Sequence, residues 1–262
     1  QVGEGTYALH VTKQGRIISE LWLAIDSEQI LLGVPQEVAG TLQAAMDQYL
    51  IMEDAEIEVA EPHSWFLAHG PKAAAVMAAA REAGAIAAKA QLGELATAIV
   101  VGTPQLGPKL GEALCNVKGA GLATAAGWER IRIERMLPRW NVDFRAKQYP
   151  QEACLEHLAV SFKKGCYVGQ EAVFMLEKRG HVAKRLVRLE LEGVDAPASG
   201  TLVTTPEGDK VGEVTSSIAD DGKTWALALV RYKQTLSGTE LRIAERPATV
   251  ACLAVREGGA CV

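Results

Sequence analysis

Cysteine is scarce in this sequence, and it is unpaired. Cys115, Cys154, Cys166, Cys252 and Cys261 are the five present; none forms a Cys-x-x-Cys pair and the number is odd. That argues against a disulfide scaffold and against a structural zinc site. No run of apolar residues is long enough to span a bilayer, and the start has no leader-like order of charged, apolar and small residues. With the cysteine usage, this points to a reduced, cytoplasmic protein without membrane contact. Positive charge is not in excess either. Lys and Arg number 27 against 32 Asp and Glu, a formal net charge of −5, which argues against general coating of nucleic acid. Gly-x-Ser-x-Gly, Walker-type and His-x-x-x-His patterns are missing, and Gly119-Ala120-Gly121 lacks the third glycine of a dinucleotide loop.

What is present is an ordinary globular composition, 48% hydrophobic and 23% charged over 262 residues. That is enough chain for one large or two moderate domains. Thr6 to Thr12 and Arg16 to Ile25, separated by Lys13-Gln14-Gly15, read as a hairpin. A strand over Glu28 to Val34, a helix over Gln36 to Met52 and strands over Ala55 to Ala60 and Ser64 to Gly70 follow. The alanine-rich stretch Lys72 to Lys89 reads as a helix interrupted at Gly84. Ala96 to Gly102 reads as a strand, Leu106 to Leu114 as a short helix and Gly127 to Ile133 as a strand. From Leu186 the texture changes. Strand-like runs over Leu186–Leu191, Thr201–Thr204, Lys210–Ser216, Trp225–Val230, Glu240–Ala244 and Thr249–Val255 alternate with turns, as in a small antiparallel barrel or sandwich.

One stretch stands out for chemistry: Lys163-Lys164-Gly165-Cys166-Tyr167-Val168-Gly169-Gln170-Glu171. Two glycines permit tight turns or close backbone approach, and the Gln-Glu pair opens a periodic segment, so a loop enters a helix here. A thiolate near free helix amides and near Lys164 could act as nucleophile, redox group or soft-metal ligand; the plainer alternative is a buried structural cysteine beside a cap. Two basic segments stand apart from the acidic remainder. Arg130 to Lys147 holds six basic residues against Glu134 and Asp143, and Lys163 to Arg188 holds seven against Glu171 and Glu177. Facing one cleft, they would attract an anion.

Lys-Gly-Cys-Tyr-Val-Gly-Gln-Glu resembles the signature of the YgfZ family, folate-binding proteins related to the aminomethyltransferase (T-protein) of the glycine cleavage system. Arg132-Ile133-Glu134-Arg135-Met136, continuing through Asn141 and Asp143, resembles the superfamily segment Arg-Ile-Glu-Ala-Gly-x-Pro-x-x-Gly-x-Asp, with Met136 and Asn141 standing where that segment has glycine. The resemblance implies an α+β fold: a T-protein-like folate-binding body over residues 1–183 and a small antiparallel β-barrel over 184–262. It also implies that a strand and a helix which precede the hairpin in the family are missing here. The implied function is a folate-binding accessory protein acting in iron–sulfur cluster assembly or repair, and through an iron–sulfur enzyme in tRNA modification. Cys166 and Lys164 would be the working pair. Glu134, with Arg132, Tyr167, Gly165 and Gly169, would hold tetrahydrofolate or another reduced folate. Implied partners are iron–sulfur client proteins or assembly factors, with a weak tRNA contact. The alternative is a folate-dependent one-carbon transferase. Where T-proteins carry an acidic pair, this chain has Ser19-Glu20, and serine cannot serve as a carboxylate base.

Overall fold

The computed structural model describes residues 1–52, 54–93 and 95–251. It divides into two compact units, one formed by Gln1–His10 with Ser19–Leu122 and the other by Val11–Ile18 with Ala123–Val262.

The first unit holds two three-stranded sheets. Strands β1 (Gly5–Val11), β2 (Ile17–Ile25) and β3 (Ile30–Gly33) lie in that order, and β4 (Ser64–His69), β6 (Leu95–Gly102) and β5 (Ile86–Leu92) form an antiparallel sheet with β6 central. Helix α1 (Ala39–Asp47) follows β3, α2 (Ala73–Glu82) lies between β4 and β5, and α3 (Gly107–Cys115) follows β6. One face of the β4–β6–β5 sheet packs Val100 and Ala87 against Val76, Ala80, Leu110 and Leu114 of α2 and α3. The other buries Ala88, Ala90, Ile99 and Val101 with Ala24 of β2. Gly5 is required here, because a Cβ would meet the Leu23 carbonyl oxygen at 2.7 Å.

The second unit holds α4 (Ala125–Glu134), α5 (Gln170–Arg179) and a closed six-stranded antiparallel barrel. The barrel comprises β7 (Lys184–Glu192), β8 (Leu202–Thr204), β9 (Lys210–Asp220), β10 (Lys223–Arg231), β11 (Glu240–Ile243) and β12 (Arg246–Val250). Inward residues at alternate positions, such as Val187, Leu189 and Leu191 of β7 with Ala226, Ala228 and Val230 of β10, fill it. The expected α+β class with a C-terminal antiparallel barrel is borne out. The part of the Thr249–Val255 run beyond residue 251 lies outside the described residues.

Four local expectations are corrected. Residues 55–60 form no strand, and the helix expected over Gln36 to Met52 is a single 3₁₀ turn followed by the shorter α1. The alanine-rich stretch changes type at Gly84 (φ +86°) and becomes strand β5. Helix propensity lost to packing there, because Ala88, Ala90 and Leu92 are buried while Lys89 and Gln91 are exposed, an alternation only a strand provides. The strand expected over Gly127 to Ile133 is helix α4. Thr124 caps it, its hydroxyl accepting from the Gly127 amide at 3.0 Å, and Arg130–Glu134 and Arg132–Glu129 form helical-spacing ion pairs.

Candidate functional site

The cysteine loop is built from the chain outward. The Ser161 hydroxyl oxygen accepts from the amides of Lys163 and Lys164 at 3.4 and 3.2 Å, turning the chain toward Cys166, whose side chain is exposed. Lys164 Nζ lies 4.8 Å from the centroid of the Tyr167 ring, a cation–π arrangement. The Tyr167 amide donates to Gln170 Oε1 at 3.3 Å, and Gly169 takes the left-handed conformation (φ +82°) that starts α5. The helix carries Glu171 in its first turn and Lys178 and Arg179 in its last, matching its dipole.

Gly169 has a second requirement. A Cβ there would run into the carbonyl oxygen of Thr12, with Val11 Cγ2 at 3.1 Å and Gly15 Cα at 3.2 Å. Gly15, also left-handed (φ +73°), would reciprocally meet Val173 Cγ2 at 2.9 Å. The hairpin tip and the helix start therefore touch glycine to glycine. Gly165 differs: a Cβ on it meets nothing within 4 Å and its φ is not positive. Beside this contact opens a cleft of about 530 Å³ lined by Lys13, Tyr167, Gly169, Gln170, Glu171 and Phe174. The Tyr167 hydroxyl is buried without a hydrogen-bond partner among the described residues, and burial pushes its pKa up.

On α4, Glu134 and Arg132 have opposite fates. Glu134 is half-exposed and only loosely held, 4.0 Å from Arg130 Nε, while its carbonyl accepts from Arg188. Arg132 is buried, with 1% of its surface exposed. Its Nε and one terminal nitrogen donate to the two oxygens of Glu129, the other terminal nitrogen donates to Asp143 at 2.7 Å, and Ser216 accepts at 2.8 Å. A bulge in β9, where the register slips between Leu227 and Ala228 of β10, turns both Thr215 and Ser216 toward Asp143, which accepts from them at 2.6 and 2.7 Å. Burial would raise the Glu129 carboxyl, but the Arg132 hydrogen bond and the charges of Arg132 and Arg139 hold it below the usual range. Arg132 is thus spent inside the fold. The partners of Glu134 and Arg132 are Arg130, Arg188, Glu129, Asp143 and Ser216, none of them in the cysteine loop.

In the first unit, Ser19 is fully buried and donates to the Glu20 carbonyl at 2.9 Å, while Tyr7 donates to Glu20 Oε2 at 3.0 Å. Burial raises the Glu20 carboxyl, which the Tyr7 bond partly offsets; Tyr7 itself is raised by burial and by the neighbouring carboxylate. Sequence reasoning missed one further cluster in the second unit. Cys154 is buried with φ +56°, 3.1 Å from both the Leu186 carbonyl and Arg185 Nε; Arg185 also donates to Glu156 at 2.5 Å, and His157 Nε2 lies 3.1 Å from the same oxygen. Cys154-Leu155-Glu156-His157 follows no spacing rule that would have announced it.

A family model described as the CAF17 C-terminal β-barrel domain matches residues 184–254. Glycine cleavage system aminomethyltransferase T from Bartonella henselae superposes with a TM-score of 0.75 at 18% identity, covering 97% of this chain and 76% of that one, a likeness of fold. The fold is therefore that of the aminomethyltransferase T class with a CAF17-type barrel. Within that class, the resemblance to the YgfZ family read from the cysteine motif is borne out by curated relatives. The tRNA-modifying protein YgfZ of Aliivibrio fischeri is 33% identical over 126 residues, 45% of this chain and 39% of its own length. That of Photobacterium profundum is 28% identical over 156 residues, 55% of this chain and 47% of its own. The chain spans less than half the length of these relatives. Among the described residues, no helix is long and apolar enough to cross a membrane.

Proposed function

We propose that this chain is a folate-binding accessory protein that serves iron–sulfur cluster assembly or repair, and thereby tRNA modification, through Cys166. The observation that carries the reading is the exposed Cys166 thiol on a loop whose far end is pinned by the Gly15–Gly169 contact. A soft ligand must be reachable by a partner, whereas Cys154, the buried cysteine among the described residues, is not. One thiolate does not hold a cluster, which usually takes four, and among the described residues no group of three or more His, Cys, Asp or Glu could hold a metal. Cluster contact is therefore shared with a client protein or assembly factor, and the cluster is cargo.

Reduced folate fits the residues of α4 in part. The Glu134 carboxylate is half-exposed and weakly paired, so it is free to accept two parallel hydrogen bonds from the amino group and ring N–H of a pterin. Arg132 does not contact the folate; it fixes the helix that presents Glu134. Met136 is turned into the core with Ile133, Cys154, Leu186 and Leu227 and so does not compete for that carboxylate. When bound, tetrahydrofolate supplies a one-carbon carrier or a reduced ring.

The test has two arms. Anaerobic calorimetric titration of tetrahydrofolate is expected to show binding that weakens about tenfold, ~1.4 kcal/mol, in Glu134→Ala; absence of binding to the folded protein removes folate from the account. Cys166→Ser, introduced into cells depending on this protein, is expected to lower iron–sulfur enzyme activity with the fold and folate affinity unchanged. Full activity in that strain removes the thiol.

A further inference from the structure

Away from the cysteine loop, the second unit gathers cations around a pair of stacked rings. Helix α5 ends in Lys178 and Arg179, and His181 follows after one glycine. The chain then enters β7 at Lys184, which lies directly across from Arg231, the last residue of β10. Tyr232 comes next, its amide donating to the Ala183 carbonyl at 3.0 Å, and its ring stacks on His181 with centroids 4.7 Å apart and planes 28° from parallel. Lys233 follows. Both rings and all five of these Lys and Arg side chains are exposed.

Three features set this surface apart. None of its five Lys and Arg side chains has a carboxylate partner among the described residues, whereas Arg130, Arg132, Arg139, Arg185 and Arg188 of the same unit are all paired. Lys184 and Arg231 are like charges set directly opposite on paired strands, an arrangement that repels unless an anion lies over it. Residues 178–184 and 231–235 contain no Asp or Glu, in a chain of net charge −5. An anionic partner is thus favoured at this place and disfavoured over most of the molecule. The stacked rings narrow its chemistry, because both are exposed and can be extended by a third planar group.

We propose that this surface binds single-stranded nucleic acid, with a base stacked on the His181–Tyr232 pair and the flanking phosphates held by Lys184, Arg231, Lys233 and the end of α5. Aromatic platforms beside a cationic track are how such strands are held without sequence readout. The site is independent of the folate reading, since it shares no residue with Glu134 or Cys166.

Fluorescence anisotropy of a labelled oligouridylate of about 12 nucleotides, titrated with the full chain, tests this. Three to five phosphate contacts predict a log–log salt slope of about −2 to −3.5. Tyr232→Ala is expected to weaken binding about tenfold while leaving the slope unchanged, because it removes stacking and no charge. Lys184→Gln with Arg231→Gln is expected to flatten the slope by about 1.4. Lys223→Gln, at the other end of β10, leaves both unchanged. Oligothymidylate distinguishes RNA from DNA, and Tyr232-dependent binding of either supports the site. No binding at low salt, binding indifferent to Tyr232, or displacement of the oligonucleotide by phosphatidylserine vesicles would overturn it, the last assigning the surface to a membrane.

Discussion

Replacing Gly169 by alanine tests the contact that holds the cysteine loop. Two costs add. The left-handed backbone (φ +82°) is worth ~1–2 kcal/mol against a residue with a Cβ. The new methyl also collides with the Thr12 carbonyl, a backbone atom that cannot rotate away, and forced overpacking costs ~1–3 kcal/mol. Together they predict a loss of roughly 2–5 kcal/mol, or a fall in melting temperature of roughly 5–15 °C for a unit of this size. Gly165→Ala is the internal control: its Cβ meets nothing and its φ is ordinary, so its effect stays within about 0.5 kcal/mol. Circular dichroism melts of the full chain read both. Gly15→Ala removes the same contact from the other side, so combining it with Gly169→Ala is expected to cost less than the sum of the two. A Gly169→Ala protein that melts with the wild type, or a Gly165→Ala protein that falls equally, refutes the assignment of the loop's anchor.

Arg132→Met leaves Asp143 buried without its counter-charge and is expected to cost ~3–5 kcal/mol in urea unfolding, while Arg135→Met, at the exposed position just past the end of α4, is expected to cost little. Acid acts oppositely at two carboxylates. Glu129 sits below the usual range, so its contribution is present above the unfolded glutamate value and is lost as pH falls through its lower folded value; Glu129→Gln should flatten the acid limb of a stability–pH curve. Glu20 is raised, so stability declines as pH climbs from the unfolded value to the folded one, and Glu20→Gln should raise the stability of the first unit at neutral pH. Native alkylation followed by peptide mass spectrometry should label Cys166 and Cys115 and leave Cys154 unlabelled until denaturant is added; early labelling of Cys154 would contradict its burial.

The barrel was legible because its strands alternate and its turns carry glycine. Much of the site was not. Arg130-Ile131-Arg132-Ile133 alternates like a strand, and nothing local says that the partners of Arg132 are Asp143 and Ser216, 11 and 84 residues further on. Those partners bury the arginine, while the Thr124 cap and the pairs Arg130–Glu134 and Arg132–Glu129 hold the segment as a helix. Gly165 and Gly169 look equivalent in the motif, yet only Gly169 faces another backbone. The substitutions Met136 and Asn141, by contrast, acquire a meaning once seen folded: both have positive φ, 54° and 59°. The glycines of the resembled segment mark left-handed positions, which asparagine occupies at small cost and methionine offsets by burying its side chain.

The hairpin tip has a consequence for the newborn chain. Arg16 reaches the Lys147 carbonyl 131 residues downstream, and the tip glycine awaits a helix later still. At about 5–20 residues per second, roughly 7–30 s of translation separate the emergence of the tip from that of its neighbours. Throughout that interval the strands of the first unit can pair while the tip between them waits as an open end. A fragment cut at Ala123 would never close it, so the two halves of this molecule cannot be parted at any single peptide bond.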